Sequence, residues 1–398
     1  MKYDFTSITD RAGQDAIALD MLPVQGAAVK EGFSRIPMWV ADMSFPTAPS
    51  VQEAMSARLG HPFYGYFTPR KEYYQSIIRW HEERHGVSGL TASCIGYENG
   101  VLGGVISALN VFCSRGDKVL VHSPTYIGFT GSMTNAGYQI IHSPLVQDDK
   151  GIWRMDYADM EEKIRKNHIH CTVFCSPHNP SGRVWEREEL ERAMEIFKKH
   201  DVMVIADEIW SDLILAGHKH IPTQMVSEDA RMRTVALYAP SKTFNLAGLV
   251  GSYHIIYNPA IRDRIRKESS LSHYNAMNVL SMHALMGAYQ PSGAEWVDEL
   301  CTVLTANVNY AVDFILEHFD GISLTKPEGT YLLFLDCSSW CDKHGRTLDE
   351  LLKAGIEVGV LWQDGRPFHG PCHIRMNLAL PRSLVVEGLE RLRKYVFE

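Results

Sequence analysis

Four polar side chains, each just beyond a short apolar run, offer an amine, a carboxylate, an amide and an aromatic ring. Lys242 follows the run 235–238, Asp207 follows 202–206, Asn179 follows 171–175, and Tyr126 follows 118–122. A lysine that loses its proton near neutral pH condenses with a carbonyl, and burial or neighbouring positive charge brings its pKa into that range. A buried aspartate keeps a heteroaromatic ring nitrogen protonated through a charge-assisted hydrogen bond. An asparagine amide donates to a phenolate oxygen, and an aromatic face stacks on a flat ring. These are the groups that a pyridoxal cofactor needs. Its phosphate wants free amides at a helix start. The turn 98–104 (Glu-Asn-Gly-Val-Leu-Gly-Gly), opening into an expected apolar helix over 105–112, supplies such a place.

The elements that must position these residues are legible as short β-branched or apolar runs alternating with amphipathic segments. That alternation predicts βαβ units and a mainly parallel sheet. In an open α/β sheet, ligands bind at the carboxyl ends of the strands, where all four side chains fall. The segment 186–199 predicts a helix, because Leu190, Met194 and Phe197 recur three or four apart and its last turn is basic. Beyond about residue 290 the pattern changes to a long helix over 296–318, a strand pair around 331–335 and a closing helix over 383–395. The expected division is an N-terminal arm joining the small domain (1–48), a large cofactor-binding domain (49–289) and a small α+β domain (290–398). A ligand cleft between the two domains is the expectation.

The chain has 398 residues, 45% hydrophobic and 22% charged, enough apolar material for a large core. A net charge of -8 without a dense Lys/Arg stripe argues against a nucleic-acid partner. The N-terminus has no apolar run of signal-peptide type, and no stretch approaches the ~20 apolar residues of a membrane span, so the expectation is a cytoplasmic protein without membrane contact. The eight cysteines form no CxxC pair and read as reduced structural thiols.

Several segments resemble a known family. Ser176-Pro177-His178-Asn179-Pro180-Ser181-Gly182, Asp207-Glu208, and Ser241-Lys242-Thr243-Phe244-Asn245 followed by Gly248 are similar, in order and spacing, to the signatures of fold-type I class I and II aminotransferases. Ile374-Arg375-Met376-Asn377-Leu378-Ala379, followed by Pro381, resembles that family's substrate-carboxylate arginine motif. Pro37-Met38-Trp39-Val40-Ala41-Asp42-Met43 and Tyr64-Gly65-Tyr66 resemble its branch of MalY/PatB-type cystathionine β-lyases.

The resemblance implies an α/β fold of the aspartate aminotransferase kind, with a large mainly parallel-sheet domain and a small α+β domain. It implies pyridoxal 5'-phosphate held as a Schiff base by Lys242, with Asp207 at the ring nitrogen, Asn179 at the phenolate and Tyr126 stacked on the ring beside the chemistry. The amides of Val101 and Leu102, with Ser241, would hold the phosphate, joined by Tyr66 from the other subunit of a homodimer whose active sites lie at the interface. Arg375 would grip the carboxylate of a small amino-acid substrate, with Ala41 and Tyr66 nearby. The implied reaction is β-elimination from cystathionine, cysteine or a related S-conjugate to pyruvate, ammonia and a thiol, with transamination as the alternative.

Departures from the family pattern are specific. Ala239 replaces a phosphate-touching serine three residues before the lysine. Trp210 stands where a tyrosine or histidine is usual, Ser44 replaces an aspartate, and the segment 361–368 differs from the usual lyase loop. A competing motif is His81-Glu82-Glu83-Arg84-His85, which fits HExxH and on a helix would place two histidines toward zinc. Gly86 directly behind it reads as a helix stop, and the charged Glu83 and Arg84 read as a solvated end. A non-catalytic binding protein on the same fold is the third possibility, opposed by the intact lysine, aspartate and arginine.

Overall fold

Continuous apolar runs become strands buried on both faces when helices cover a parallel sheet. The computed structural model describes residues 1–270 and 275–398. Its principal sheet, among the described residues, comprises β1 (Ile95–Glu98), β2 (Lys118–Ser123), β3 (Gln139–Gln147), β4 (Trp153–Met155), β5 (Cys171–Cys175), β6 (Met203–Asp207), β7 (Thr234–Tyr238) and β8 (Ser252–Ile255). The spatial order is β1-β8-β7-β6-β5-β2-β3-β4. The stretch from β7 through β3 is parallel, and β1, β4 and β8 run antiparallel to their neighbours. Every residue of β5 and of β7 is buried.

From β2 the chain steps outward to β3, and from β5 it steps the opposite way through β6 to β7. The crevice between the carboxyl ends of β2 and β5 is therefore the switch point where ligands bind in such sheets. The expected helix over 186–199 is Arg187–Lys199. Glu186 and Glu189 form its capping box, and Leu190, Met194 and Phe197 are buried.

A second, antiparallel sheet is formed by β9 (Leu332–Asp336), β10 (Gln363–Asp364) and β11 (His373–Asn377), in the order β9-β11-β10. The strand pair expected around 331–335 is thus no hairpin: the partner of β9 comes about 40 residues later, after two helices. The N-terminal segment joins this part. Ile36–Pro37 pairs in parallel with Val360–Leu361, and the Asn377 amide donates to the Met38 carbonyl at 2.8 Å. The long helix begins at Pro291, five residues before the expected start, because proline is tolerated in a first turn whose N–H groups lack helical partners. The closing helix is Arg382–Leu392, continued by a π turn over Arg393–Phe397. No described helix is long and apolar enough to cross a membrane.

Candidate active site

Lys242 sits in the short helix Pro240–Thr243 directly after β7, and proline at its first turn fixes the turn from strand to helix. Its Nζ donates to the Ala41 carbonyl at 2.9 Å and stands 5.8 Å from the Trp210 ring centroid. Burial, reinforced by the Arg375 charge and opposed by Asp42 and Asp207, pulls its pKa down to about 8. Asp207 is the last residue of β6, and its Oδ1 accepts from the Ile209 amide at 3.0 Å. Burial pushes its carboxyl up to about 7, against that hydrogen bond and the Lys242 charge. An amine that is easily deprotonated and an acid that makes no ion pair among the described residues thus share one buried place.

Arg375, on β11, is the third charged group. Its Nη1 donates to Asn179 Oδ1 at 3.3 Å, and its Nη2 donates to Gln363 Oε1 at 2.7 Å and to the Trp39 carbonyl at 3.1 Å. The guanidinium lies 4.4 Å from the Phe368 ring centroid. Burial brings its pKa down to about 10. Its Nε has no partner, and it makes no ion pair among the described residues. A buried guanidinium held only by neutral acceptors is suited to a carboxylate arriving from outside. Because Arg375 occupies the Asn179 carbonyl oxygen, the Asn179 NH₂ is left to donate elsewhere.

One cavity of about 330 Å³ gathers most of the expected site: Ala41, Val101, Leu102, Tyr126, Asn179, Asp207, Ser241 and Lys242 all line it. Arg375 joins through its bond to Asn179. Tyr66 does not line this cavity. It lies in the segment 61–70, exposed throughout, and its own side chain is fully exposed.

The turn before the phosphate-type helix is tighter than expected. The helix runs Gly100–Phe112, so Gly103 and Gly104 lie inside it and Gly100, at φ +76°, makes the turn. Among the described residues no side chain caps this helix, which leaves the first amides, those of Val101 and Leu102 included, for a ligand. Gly128 also has a positioning part. A Cβ there would meet the Tyr126 ring at 2.3 Å, so the absent side chain lets that ring lie where it does.

The sequence reading missed Gln363 and Phe368, which frame Arg375, although it marked their segment as unusual. Within that segment Trp362 turns away: it is wholly buried and donates to the Leu352 carbonyl at 2.9 Å. Trp210 does line the cavity. Ser44 lines a different one, and its amide donates to the Ala379 carbonyl. Ala239 is the buried cap of the lysine helix. Asp42 pairs with Arg11 at 2.7 Å.

The HExxH residues end the helix Lys71–His85, which Gly86 closes in the left-handed conformation. His81 Nε2 is 2.9 Å from the Tyr253 hydroxyl and His85 Nε2 is 3.1 Å from Asp212, while Glu82 is exposed. Among the described residues no group of three His, Cys, Asp or Glu is placed to hold a metal.

Comparison with known proteins agrees with this geometry. The family model described as "Aminotransferase class I and II" matches residues 36–392. The chain is 34% identical to cystathionine beta-lyase PatB of Bacillus subtilis over 90% of its length and 92% of the relative's. It is similar to cystalysin of Treponema denticola, whose crystal structure contains pyridoxal 5'-phosphate, with a TM-score of 0.91 and 32% identity over 100% and 99% of the two chains. It is also similar to the pyridoxal-phosphate-bound C–S lyase of Staphylococcus hominis, with a TM-score of 0.89 and 30% identity over 100% and 99%.

Proposed function

Because this chain belongs to the class I and II aminotransferase family, we propose that it is a pyridoxal 5'-phosphate-dependent C–S β-lyase. It takes cystathionine, cysteine or a related S-conjugate to pyruvate, ammonia and a thiol. The observation that carries the reading is that Lys242, its pKa lowered to about 8, and Asp207, its pKa raised to about 7, line one cavity at the strand ends. The similarity to proteins named as C–S lyases supports elimination over amino transfer.

The cavity fits the cofactor on three counts. A buried carboxyl whose pKa burial raises suits a protonated ring nitrogen, helix amides without a side-chain cap among the described residues suit a phosphate, and a depressed lysine suits an aldehyde. When bound, pyridoxal phosphate supplies the electron sink that stabilises negative charge at the substrate α-carbon.

Each residue has a matching task. Asp207 would hold the ring nitrogen protonated, the Asn179 NH₂ would donate to the phenolate, and Tyr126 would cover the ring. The Val101 and Leu102 amides and Ser241 would hold the phosphate. Arg375 binds the α-carboxylate bidentately, its plane set by Gln363, the Trp39 carbonyl, Asn179 and the Phe368 ring. Ala41, which accepts from Lys242, borders the substrate. Once released, Lys242 Nζ takes the α-proton, and its depressed pKa leaves a free-base fraction to do so near neutral pH. The β-thiolate then leaves. Trp210 excludes water beside the lysine.

Transamination would use the same residues up to removal of the α-proton by Lys242, and would differ in that no thiolate leaves. The proposed assembly is a homodimer in the cytoplasm, in which Tyr66 from each subunit reaches the other's phosphate site. Exposed Phe63, Tyr64 and Tyr66 on one short segment support a buried destination in a second copy. The proposed domain division is 1–48 with 290–398 against 49–289, the cleft lying where Arg375 meets Asn179.

The experiment is to incubate the holoenzyme with cystathionine, and separately with alanine plus a keto acid. Equal amounts of pyruvate and thiol from the first, with slow exchange in the second, are expected. Rapid amino exchange without thiol release would overturn the lyase reading in favour of transamination.

A further inference from the structure

Away from the cavity, the sulfur atoms of Cys341 and Cys372 lie 3.7 Å apart across 31 residues of sequence. Cys341 belongs to the helix Ser338–His344, and Cys372 immediately precedes β11. The Cys337 amide, at the cap of that helix, donates to the Cys372 carbonyl at 2.8 Å and pins the two backbones together. Neither thiol has another hydrogen-bond partner among the described residues. Cys372 is half-buried and within reach of a small reagent, while Cys341 lies beneath it at 8% exposure.

We propose that Cys341 and Cys372 form a redox-active dithiol which a low-molecular-weight disulfide converts to an intramolecular disulfide. Cys372 Sγ, as thiolate, attacks one sulfur of the small disulfide and expels a first thiolate, giving a mixed disulfide. Cys341 then loses its proton to solvent and attacks Cys372 Sγ, expelling the second thiolate. Two protein thiols are oxidised and one small disulfide is reduced to two thiols, so electrons and protons balance. Burial, with the neighbouring Cys372, pushes the Cys341 thiol up to about 12, which agrees with Cys341 as the resolving partner. The sulfurs have to close from 3.7 Å to a bond of about 2.05 Å, and the Cys337–Cys372 hydrogen bond already ties the start of the helix that carries Cys341 to the segment that carries Cys372. Arg375 lies three residues beyond Cys372, so the bond tethers the strand that carries it to the helix Ser338–His344. A second thiol pair in contact, Cys113 and Cys171, differs in that Cys171 is completely buried in β5. The inference rests on this thiol contact and not on the proposed activity.

The test is to incubate the holoenzyme with excess glutathione disulfide, quench in acid, alkylate the unfolded chain and digest it without reductant. The expected result is loss of two alkylatable thiols and a linked peptide joining Cys341 to Cys372, both reversed by dithiothreitol. Cys341→Ser should stop at a glutathione adduct on Cys372, and Cys372→Ser should lose no thiol. Alkylation of all eight cysteines after treatment, a link between any other pair, or a Cys341→Ser protein without the adduct would overturn the proposal.

Discussion

Asp207 and Lys242 each pay an electrostatic penalty that a bound cofactor relieves, and this makes their titration informative. In the folded, cofactor-free protein the Asp207 carboxyl keeps its proton up to about pH 7, against an ordinary value of 3.8. Between those values the folded state binds more protons than the unfolded chain. Stability therefore falls as pH rises from about 4 to about 7, and the loss persists above. Asp207→Asn removes this titration and keeps an oxygen for the Ile209 amide. Thermal unfolding of the cofactor-free variant should show it gaining on the wild type between pH 5 and pH 8, by at most about 3 kcal/mol. An equal difference at both pH values would mean that the carboxyl is not held protonated. At Arg375, lysine cannot reproduce the planar fork. If losing a buried charge pair costs about 3–5 kcal/mol, Arg375→Lys should lower kcat/KM by roughly two to four powers of ten. Gln363→Leu leaves the guanidinium in place with one fewer acceptor. It should raise KM by about tenfold with little change in kcat, the size of one hydrogen bond to a charged group; steady-state kinetics separate the two.

Among the elements, what the sequence made legible follows from how much of the signal is local. β5 was readable to the residue because a strand buried on both faces must be apolar throughout, and the helix Arg187–Lys199 because it shows one apolar face. The four polar positions at the carboxyl ends of β2, β5, β6 and β7 were readable for the same reason, although Asp207, expected just beyond its strand, is the last residue of β6. The pairing of β9 with β11 was not, because antiparallel partners about 40 residues apart leave no turn signature between them. Gln363 was missed because its importance lies in a cross-strand pairing with Arg375, which is invisible without the register. Gly100 shows the local case at its clearest. At φ +76° it permits the turn that opens the helix whose Val101 and Leu102 line the cavity, and among the described residues a Cβ there would meet only Val250, at 4.0 Å. Gly100→Ala is therefore penalised by conformation more than by collision, at about 1–2 kcal/mol. The expected outcome is a folded protein that loses pyridoxal phosphate on dialysis several-fold faster than the wild type, followed by absorbance. Unchanged retention would place the phosphate elsewhere.

At the scale of the whole molecule, the exposed segment 61–70 is the part of the chain that a single copy leaves unexplained. If Tyr66 completes the partner's phosphate site, Tyr66→Phe should weaken cofactor retention while light scattering still reports two chains per particle. A single chain per particle with full cofactor retention would contradict the shared site. The proposed dimer and the strand-end site both depend on Lys242 as the proposed anchor of the cofactor. Reduction of the holoenzyme with borohydride, followed by proteolysis and mass spectrometry, locates that anchor. The expected result is a reduced pyridoxyl adduct on Lys242 and its absence in a folded Lys242→Ala protein. An adduct on any other lysine, or no adduct on a protein that retains the cofactor, would contradict it.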